Sequence, residues 1–152
     1  MIVQLIGHSN TQQRFDEIAL YFEALNPNAV LSIGNFYSSN CYFKDPFNEV
    51  RGIEHTQRIF QHMFEALIAP RFVVTGKVVQ GSEAFLTWDF LFAMKSFVKA
   101  EQCIRGTSHL KLDADGKVCF HRDYWDAAEE LYEKLPLLGA LMRFLKRQNR
   151  VT

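Results

Sequence analysis

The chain has 152 residues, a length that favours one folded domain because single cores usually close at about 100 to 200 residues. Seventeen Lys and Arg residues balance seventeen Asp and Glu residues, so the formal net charge is zero. This balance argues against a nucleic-acid partner and against stable membrane contact, since both interactions need excess positive charge. Aromatic residues make up 14% of the chain, and we expect some of them to line a pocket for a small hydrophobic molecule or a subunit interface.

The cysteines and the apolar segments bear on the cellular compartment. Cys41, Cys103 and Cys119 lie far apart, without the close spacing of a zinc site or a redox pair, so we expect free thiols in a reducing compartment. The first apolar residues form too short a run for a secretion signal, and no apolar stretch of about 18 residues follows that could span a membrane. The sequence therefore predicts a cytoplasmic protein.

The first half of the chain predicts helices around one short strand. Asn26-Pro27 is typical of an N-cap followed by proline at the first helical position, which starts a second, short helix. Cys41 to Lys44 is a short strand, and the helix from Gly52 to Leu67 is expected to stop near Pro70. Apolar residues recur at helical spacing in two stretches: Phe15, Ile18, Ala19, Phe22 and Leu25, then Ile59, Phe60, Met63, Phe64 and Leu67.

The second half predicts a meander of strands. Turn-forming residues at 80–83 and 113–116 suit short hairpin loops, so the neighbouring strands should pair antiparallel. Together with the helices this predicts an α+β fold, a curved, mostly antiparallel sheet with about three N-terminal helices over one face. We expect one domain over 1–152, with a core at roughly 11–139, an acidic helix at 126–134 and an apolar tail at 136–148. The strand-like runs are Arg71–Gln80, Ala84–Phe97, Gln102–Leu112 and Lys117–Trp125.

Three segments carry a family resemblance. Residues 21–26 (YFEALN) and 42–46 (YFKDP) resemble the first helix and first strand of the ketosteroid isomerases. Residues 121–126 (HRDYWD), followed by 135–139 (LPLLG), resemble the last strand and tail of the limonene-epoxide hydrolases. Both groups belong, with the SnoaL-like polyketide cyclases, to the nuclear-transport-factor-two-like superfamily. The resemblance implies a cone of curved sheet with three helices.

The resemblance also implies roles for individual residues. Tyr21 matches the oxyanion donor of the isomerases and Asp45 matches their general base, while Ser108 stands where they carry a second, protonated aspartate. Asp89 and Asp123 match the two aspartates of the epoxide hydrolases, with Thr87 in place of the arginine between them. The isomerase and hydrolase residue sets are therefore each incomplete.

The residue types at Asp45 and Tyr21 allow two interpretations each. A carboxylate at the mouth of an aromatic pocket can act as a base, but Asp-Pro is also a common start of a turn. A phenol in a dry site can stabilise a developing enolate, but a core tyrosine can equally donate its hydrogen to a backbone carbonyl. Both residues stay candidates.

A second group of candidates comes from strand alternation, which places Asp89 with Phe85 and Thr87 on one face of its strand, and His121 with Asp123 on one face of the last strand. If both faces look inward, two carboxylates and an imidazole share an apolar cavity and can divide acid and base roles. The alternative for Asp123 is an orienting partner of Arg122 or Tyr124 at the rim. The further residues expected to contact a ligand are Ser108, Phe43, Phe85 and Thr87.

The opposite face of the same long strand is an unbroken apolar stripe made of Leu86, Trp88, Phe90, Phe92 and Met94. With helices on one side of the sheet only, this stripe would need a partner, which predicts a homodimer through the outer sheet face. The alternative is that the stripe faces the helices, in which case Asp89 points out of the pocket.

These patterns predict a protein that binds a small hydrophobic molecule. Its catalytic candidates are Asp123, His121, Asp89, Asp45 and Tyr21. No metal-ligand spacing and no phosphate-binding glycine loop occurs, so we expect no metal and no cofactor. The preferred function is a cofactor-independent isomerase, cyclase or hydrolase acting on a steroid-, terpene- or polyketide-like molecule. The alternative is a non-catalytic binding or interaction module of the same fold.

Overall fold

The computed structural model describes residues 2–95 and 100–130, with side chains from Asn10 onward. Within these residues the chain forms four α-helices, a single-turn 3₁₀ helix at Ile33–Asn35 and six β-strands. The helices are α1 (Ile2–Glu23), α2 (Pro27–Leu31), α3 (Ile53–Ala66) and α4 (Ala127–Glu130). The strands are β1 (Tyr37–Lys44), β2 (Glu49–Arg51), β3 (Leu67–Gln80), β4 (Glu83–Met94), β5 (Gln102–Leu112) and β6 (Val118–Tyr124).

The described strands form one sheet in the order β2-β1-β6-β5-β4-β3. Both predicted hairpins are present, since β3 pairs antiparallel with β4 and β5 pairs antiparallel with β6. Strand β1 pairs with β6 in parallel, and all other pairs are antiparallel. The predicted α+β fold with a mostly antiparallel sheet is therefore confirmed. The three-residue β2 and the first four residues of β1 were not predicted.

The helices cover one face of the sheet, which we call the inner face. Asn26 caps α2 as predicted, because its side-chain oxygen accepts hydrogen bonds from the backbone N–H groups of Asn28 (2.9 Å) and Ala29 (3.0 Å). Phe15 and Ile18 of α1 are fully buried, and Phe60 of α3 is buried with them in one core. The apolar spacing thus identified the buried sides of both long helices.

The third helix ends earlier than predicted, because the residues before Pro70 already belong to strand β3. Helix α3 stops at Ala66 and the strand begins at Leu67. The ladder with β4 is interrupted between Ile68 and Arg71, where Ala69 has a φ of 47°. A proline lacks the N–H that a central strand needs, but β3 lies at the edge of the sheet, where proline is tolerated.

The expected orientation of β4 is wrong. Leu86 and Trp88 are buried in the core with the helices, whereas Phe85 is 44% exposed and Thr87 is exposed. The apolar stripe therefore faces the helices, as in the alternative interpretation, and Asp89 shares the outer face with Phe85 and Thr87. The physical reason is that the helices offer the stripe an apolar surface within the same chain. The stripe gives no argument for a dimer.

Some predictions fall outside the described residues. These are the end of the strand expected over Ala84–Phe97, the last part of the acidic helix at 126–134, and the apolar tail at 136–148. The single-domain prediction for 1–152 and the cytoplasmic location stay predictions. In the described part of the chain, no helix is both long enough and apolar enough to cross a membrane.

Candidate functional site

A cavity of about 480 Å³ lies between α3 and the inner face of the sheet, and we call it the apolar cavity. Its volume is in the range of sites that hold small organic ligands. Phe43, one of the expected ligand contacts, lies in its wall. The aromatic side chains that line it include Phe43, Phe60, Phe72, Trp88, Phe90 and Trp125. The cavity therefore offers a mostly apolar surface to an occupant.

Asp123 brings a carboxylate to this apolar wall. It lines the apolar cavity and also an open groove that contains Lys44 and Arg122. Its Oδ1 accepts a hydrogen bond from Ser108 Oγ (2.5 Å) and lies within hydrogen-bond distance of His121 Nε2 (2.6 Å). The side chain is 15% exposed. In the described part of the chain, the hydrogen bonds to this carboxylate go to Oδ1 and none goes to Oδ2.

His121 holds Asp123 from the inside of the core. Its side chain is 3% exposed, and Phe43 packs edge-on against the imidazole with 4.8 Å between ring centroids. While Nε2 contacts Asp123, Nδ1 lies 2.6 Å from the hydroxyl oxygen of Tyr37. Tyr37 is 1% exposed, and its burial, followed by the nearby charge of Asp123, raises its pKa well above 10. The phenol therefore keeps its hydrogen at any ordinary pH.

Ser108 holds Asp123 from the neighbouring strand. Ser108 is 4% exposed and lies directly opposite Asp123 in the β5–β6 ladder. Its hydroxyl donates to Asp123 and accepts a hydrogen bond from Trp88 Nε1 (2.9 Å). The indole reaches Ser108 because it lies across Gly106, the register partner of Trp88, where a side chain would collide with the ring. A run of hydrogen bonds thus joins Trp88, Ser108, Asp123, His121 and Tyr37.

Asp45 also lines the apolar cavity, but its carboxylate is occupied by its own turn. Oδ1 accepts hydrogen bonds from the backbone N–H groups of Phe47 (2.7 Å) and Asn48 (2.6 Å). The Asn48 side-chain amide contacts both carboxylate oxygens, at 3.1 and 3.0 Å. This is the turn-forming role that the Asp-Pro dipeptide indicated as the alternative.

Tyr21 is part of the core and does not line the apolar cavity. Its hydroxyl donates to the carbonyl oxygen of Ala29 (3.0 Å), and its ring stacks on Phe36 with 4.0 Å between centroids. Burial raises the pKa of Tyr21 to about 12. The phenol hydrogen is used for helix packing, which is the backbone-partner alternative for this residue.

The remaining candidates lie on the outer face of the sheet, away from Asp123. Asp89 is opposite Arg105 in the β4–β5 ladder, and Thr87 Oγ1 accepts a hydrogen bond from Thr75 (2.9 Å). Phe85 stacks on His109 with 4.4 Å between ring centroids. Strand alternation correctly grouped Asp89, Thr87 and Phe85, but these residues belong to the opposite face from the one expected.

Tyr37 and Trp88 are the site residues that the sequence did not identify. Tyr37 precedes the predicted strand and is separated from His121 by 84 positions, so nothing local links them. Trp88 was assigned to the outer stripe. The glycine at position 106, next to Ser108, was an available signal, because a large aromatic residue often covers a strand glycine from the neighbouring strand. Among the described residues, no group of three or more His, Cys, Asp or Glu side chains could hold a metal ion.

Solved structures share this fold. A limonene-epoxide-hydrolase-like epoxide hydrolase of M. tuberculosis matches 90% of this chain and 98% of its own with a TM-score of 0.68, at 14% identity. A Shewanella putrefaciens CN-32 protein assigned as a SnoaL-like polyketide cyclase has a TM-score of 0.65 and 19% identity over 80% of this chain and 96% of its own. A Catenulispora acidiphila DSM 44928 protein with a ketosteroid isomerase-like fold, in complex with trimethylamine, has a TM-score of 0.64 and 14% identity, covering 74% of this chain and 85% of its own.

At these identities the structural matches show the fold alone. No curated protein matches the sequence. The profile of the SnoaL-like domain matches residues 18–121, more than half of the chain, from the buried Ile18 of α1 to His121 of the hydrogen-bonded run. The chain therefore belongs to the SnoaL-like domain family, and its fold is that of the nuclear-transport-factor-two-like and ketosteroid isomerase-like proteins.

Proposed function

We propose that this protein is a cofactor-independent enzyme in which Asp123 is the general base for a small apolar substrate. One observation carries the proposal: Asp123 lines the apolar cavity while Ser108 and His121 both bind its Oδ1. A base works best when its position is fixed by rigid elements, and here two paired strands fix it. Catalysis is a property of sites and not of folds, so the family membership adds only a range of chemistries.

The proposed step moves one proton. Asp123 Oδ2 takes a proton from a substrate C–H bond next to a carbonyl, and the electron pair of that bond moves into an enolate. The hydrogen bonds to Oδ1 stay in place, because the proton goes to the other oxygen. Arg58, which lines the cavity from α3, supplies positive charge toward the enolate oxygen. Return of the proton to another carbon gives isomerisation, and attack of the enolate on a second carbonyl gives cyclisation.

The proposed substrate class follows from the side chains that line the apolar cavity. Flat, apolar molecules of steroid, terpene or polyketide type match a mostly aromatic surface with few polar groups. Two structural relatives are described as a polyketide cyclase and an epoxide hydrolase. Hydrolysis is the third possible chemistry, in which Asp123 activates water instead of a C–H bond.

The test is an exchange reaction that needs no natural substrate. β-Tetralone, a bicyclic apolar ketone, is incubated with the protein in D2O, and loss of its α-protons is followed by NMR. Asp123→Asn keeps the shape of the side chain and should abolish protein-dependent exchange. Asp89→Asn, on the outer face, should leave the rate unchanged, and Asp45→Asn should leave part of it.

Two results decide against this function. Exchange that survives in Asp123→Asn but is lost in Asp45→Asn identifies Asp45 as the base. Binding of β-tetralone by the wild-type protein without any exchange favours the alternative, a non-catalytic binding module. That alternative has some support, because the side chains of Asp45 and Tyr21 are both engaged in hydrogen bonds within the protein.

We also propose a homodimer through the outer sheet face, formed by residues other than the apolar stripe of β4. Rings of Tyr42, Phe120, His109 and Phe85 form a row across four strands, with centroid distances of 5.2, 5.2 and 4.4 Å. Charges of both signs flank this row, so a second copy related by a two-fold axis can pair positive with negative groups. For example, the Lys111 ammonium lies over the Phe120 ring while Glu83 is 44% exposed beside it.

A further inference from the structure

The hydroxyl of Tyr37 and the imidazole of His121 form a buried hydrogen bond in the core. Tyr37 O lies 2.6 Å from His121 Nδ1, and the two rings are stacked with 6.0 Å between centroids. Tyr37 is 1% exposed and His121 is 3% exposed, so water does not compete for either group. Among the described residues, His121 is the hydrogen-bond partner of the Tyr37 side chain.

The positions of the hydrogens follow from counting donors and acceptors. Tyr37 carries one O–H hydrogen, and a buried O–H needs an acceptor. His121 Nδ1 can accept it only when that nitrogen carries no hydrogen. The imidazole hydrogen is then on Nε2, where it is donated to Asp123 Oδ1 across 2.6 Å. This arrangement satisfies every donor with an ionised Asp123.

The other protonation states leave a group unsatisfied. If Nδ1 carried the hydrogen, it would donate to Tyr37, and the phenol O–H would have no acceptor among the described residues. A neutral imidazole of that form would also turn the lone pair of Nε2 toward the carboxylate, which would then have to be protonated and could not act as a base. An imidazolium would leave the phenol hydrogen equally without an acceptor.

We propose that Tyr37 is a positioning residue that fixes His121 in the tautomer with the hydrogen on Nε2 and so keeps Asp123 Oδ1 occupied and Oδ2 available. The inference rests on the proposed role of Asp123 as the base. Tyr37 touches no substrate, since it does not line the apolar cavity. Tyr37 acts through His121, so its effect can be measured on the NMR signals of the two ring nitrogens of His121.

The first measurement is a long-range ¹H–¹⁵N spectrum of the histidine rings in ¹⁵N-labelled full-length protein at neutral pH. His121→Gln identifies the signals of His121 by their disappearance. In the wild-type protein we expect Nε2 to be the protonated nitrogen and Nδ1 the unprotonated one. In Tyr37→Phe, Nε2 keeps its hydrogen on Asp123, while Nδ1 no longer has to accept the phenol O–H and becomes free to carry a hydrogen itself, so the Nδ1 signal should move toward the range of a protonated ring nitrogen. Tyr21→Phe, the matched removal of a buried phenol hydroxyl, should leave His121 unchanged.

The second measurement separates binding from proton transfer. In Tyr37→Phe, β-tetralone should bind with unchanged affinity, while its exchange rate falls about 10- to 100-fold because a displaced base loses rate steeply. Protonation of Nδ1 in the wild-type spectrum overturns the inference even if Tyr37→Phe does not fold. Unchanged His121 signals in a folded Tyr37→Phe overturn it as well. If Asp123→Asn does not reduce the exchange rate, the proposed role of Asp123 as the base is wrong, while the result on the tautomer of His121 still stands.

Discussion

The close approach of Trp88 to Gly106 makes a quantitative prediction for Gly106→Ala. A Cβ at position 106 would lie 2.6 Å from Trp88 Cζ2 and 2.8 Å from Cζ3, and nearer still to Cη2. Trp88 is 5% exposed and packs edge-on against Phe72 with 5.4 Å between centroids, so the indole can retreat only toward the apolar cavity that it lines. Its hydrogen bond to Ser108 should be broken or lengthened when it does.

The expected cost combines three contributions. Overpacking a core position costs about 1–3 kcal/mol, and loss of the Trp88–Ser108 hydrogen bond adds roughly 0.5–1.5 kcal/mol. Replacing glycine by alanine returns about 0.4–1 kcal/mol by restricting the unfolded chain. Gly106→Ala should therefore lower the free energy of unfolding by about 0.5 to 4 kcal/mol, and the melting temperature should fall by roughly 2–4 °C for each kcal/mol at this chain length.

The assay is urea unfolding followed by circular dichroism, with tryptophan fluorescence measured in a Trp125→Phe background so that it reports the environment of Trp88. Gly34→Ala is the control, because a Cβ there would meet Ile53 at an ordinary 3.6 Å, and its stability should stay within about 0.5 kcal/mol of wild type. Trp88→Phe removes the colliding ring, so Gly106→Ala should cost less in that background. The steric argument would be refuted if Gly106→Ala left the free energy of unfolding unchanged. It would also be refuted if the losses of Gly106→Ala and Trp88→Phe were additive in the double variant.

Three further predictions concern the turn, the acid limit and association. Asp45→Ala should lower the free energy of unfolding by about 1 kcal/mol because the turn loses its acceptor, and an unchanged urea midpoint would contradict this. The hydrogen bond from His109 lowers the pKa of Glu83, so the folded state binds a proton at this carboxylate less readily than the unfolded state does. The interaction therefore stabilises the folded state above about pH 4.5, and this stabilisation is lost as the pH falls below that value. Glu83→Gln should therefore be less stable than wild type in urea at neutral pH but not in acid, and an equal deficit at both would be inconsistent. Phe85→Lys should give a monomer by light scattering at micromolar concentration while Leu31→Lys, at an exposed residue of α2, should not; a monomeric wild type would remove the proposed interface.

Local chemistry made the helices and turns predictable. Asn26-Pro27 could be recognised as a helix start because the cap bonds are made within four residues, and the hairpin loops were identified by their turn residues for the same reason. The β1 strand was predicted too short. Its first residue, Tyr37, pairs in parallel with Val118 of β6, and pairing over such a sequence distance leaves no local pattern.

The site was predictable only where two residues share a strand. His121 and Asp123 were expected on one face, and their hydrogen bond is present at 2.6 Å. Alternation separates the two faces of β4 but does not say which one the helices cover, and this is why Asp89 was expected in the cavity. Tyr37 contacts His121 only after the sheet has formed, so its part in the site could not be read from its neighbours in the chain.

The interrupted start of β3 also limits how copies of this protein can associate. Pro70 and the break beside Ala69 remove the regular row of donors that an added strand would need, and the N–H of Val74 further along is taken by Glu23 of α1 at 2.9 Å. At the other edge, β2 offers three residues. Intermolecular strand addition, the route to fibrils, is therefore disfavoured at both ends of the sheet. The proposed two-fold pairing through the outer face, in contrast, closes after two subunits and does not propagate.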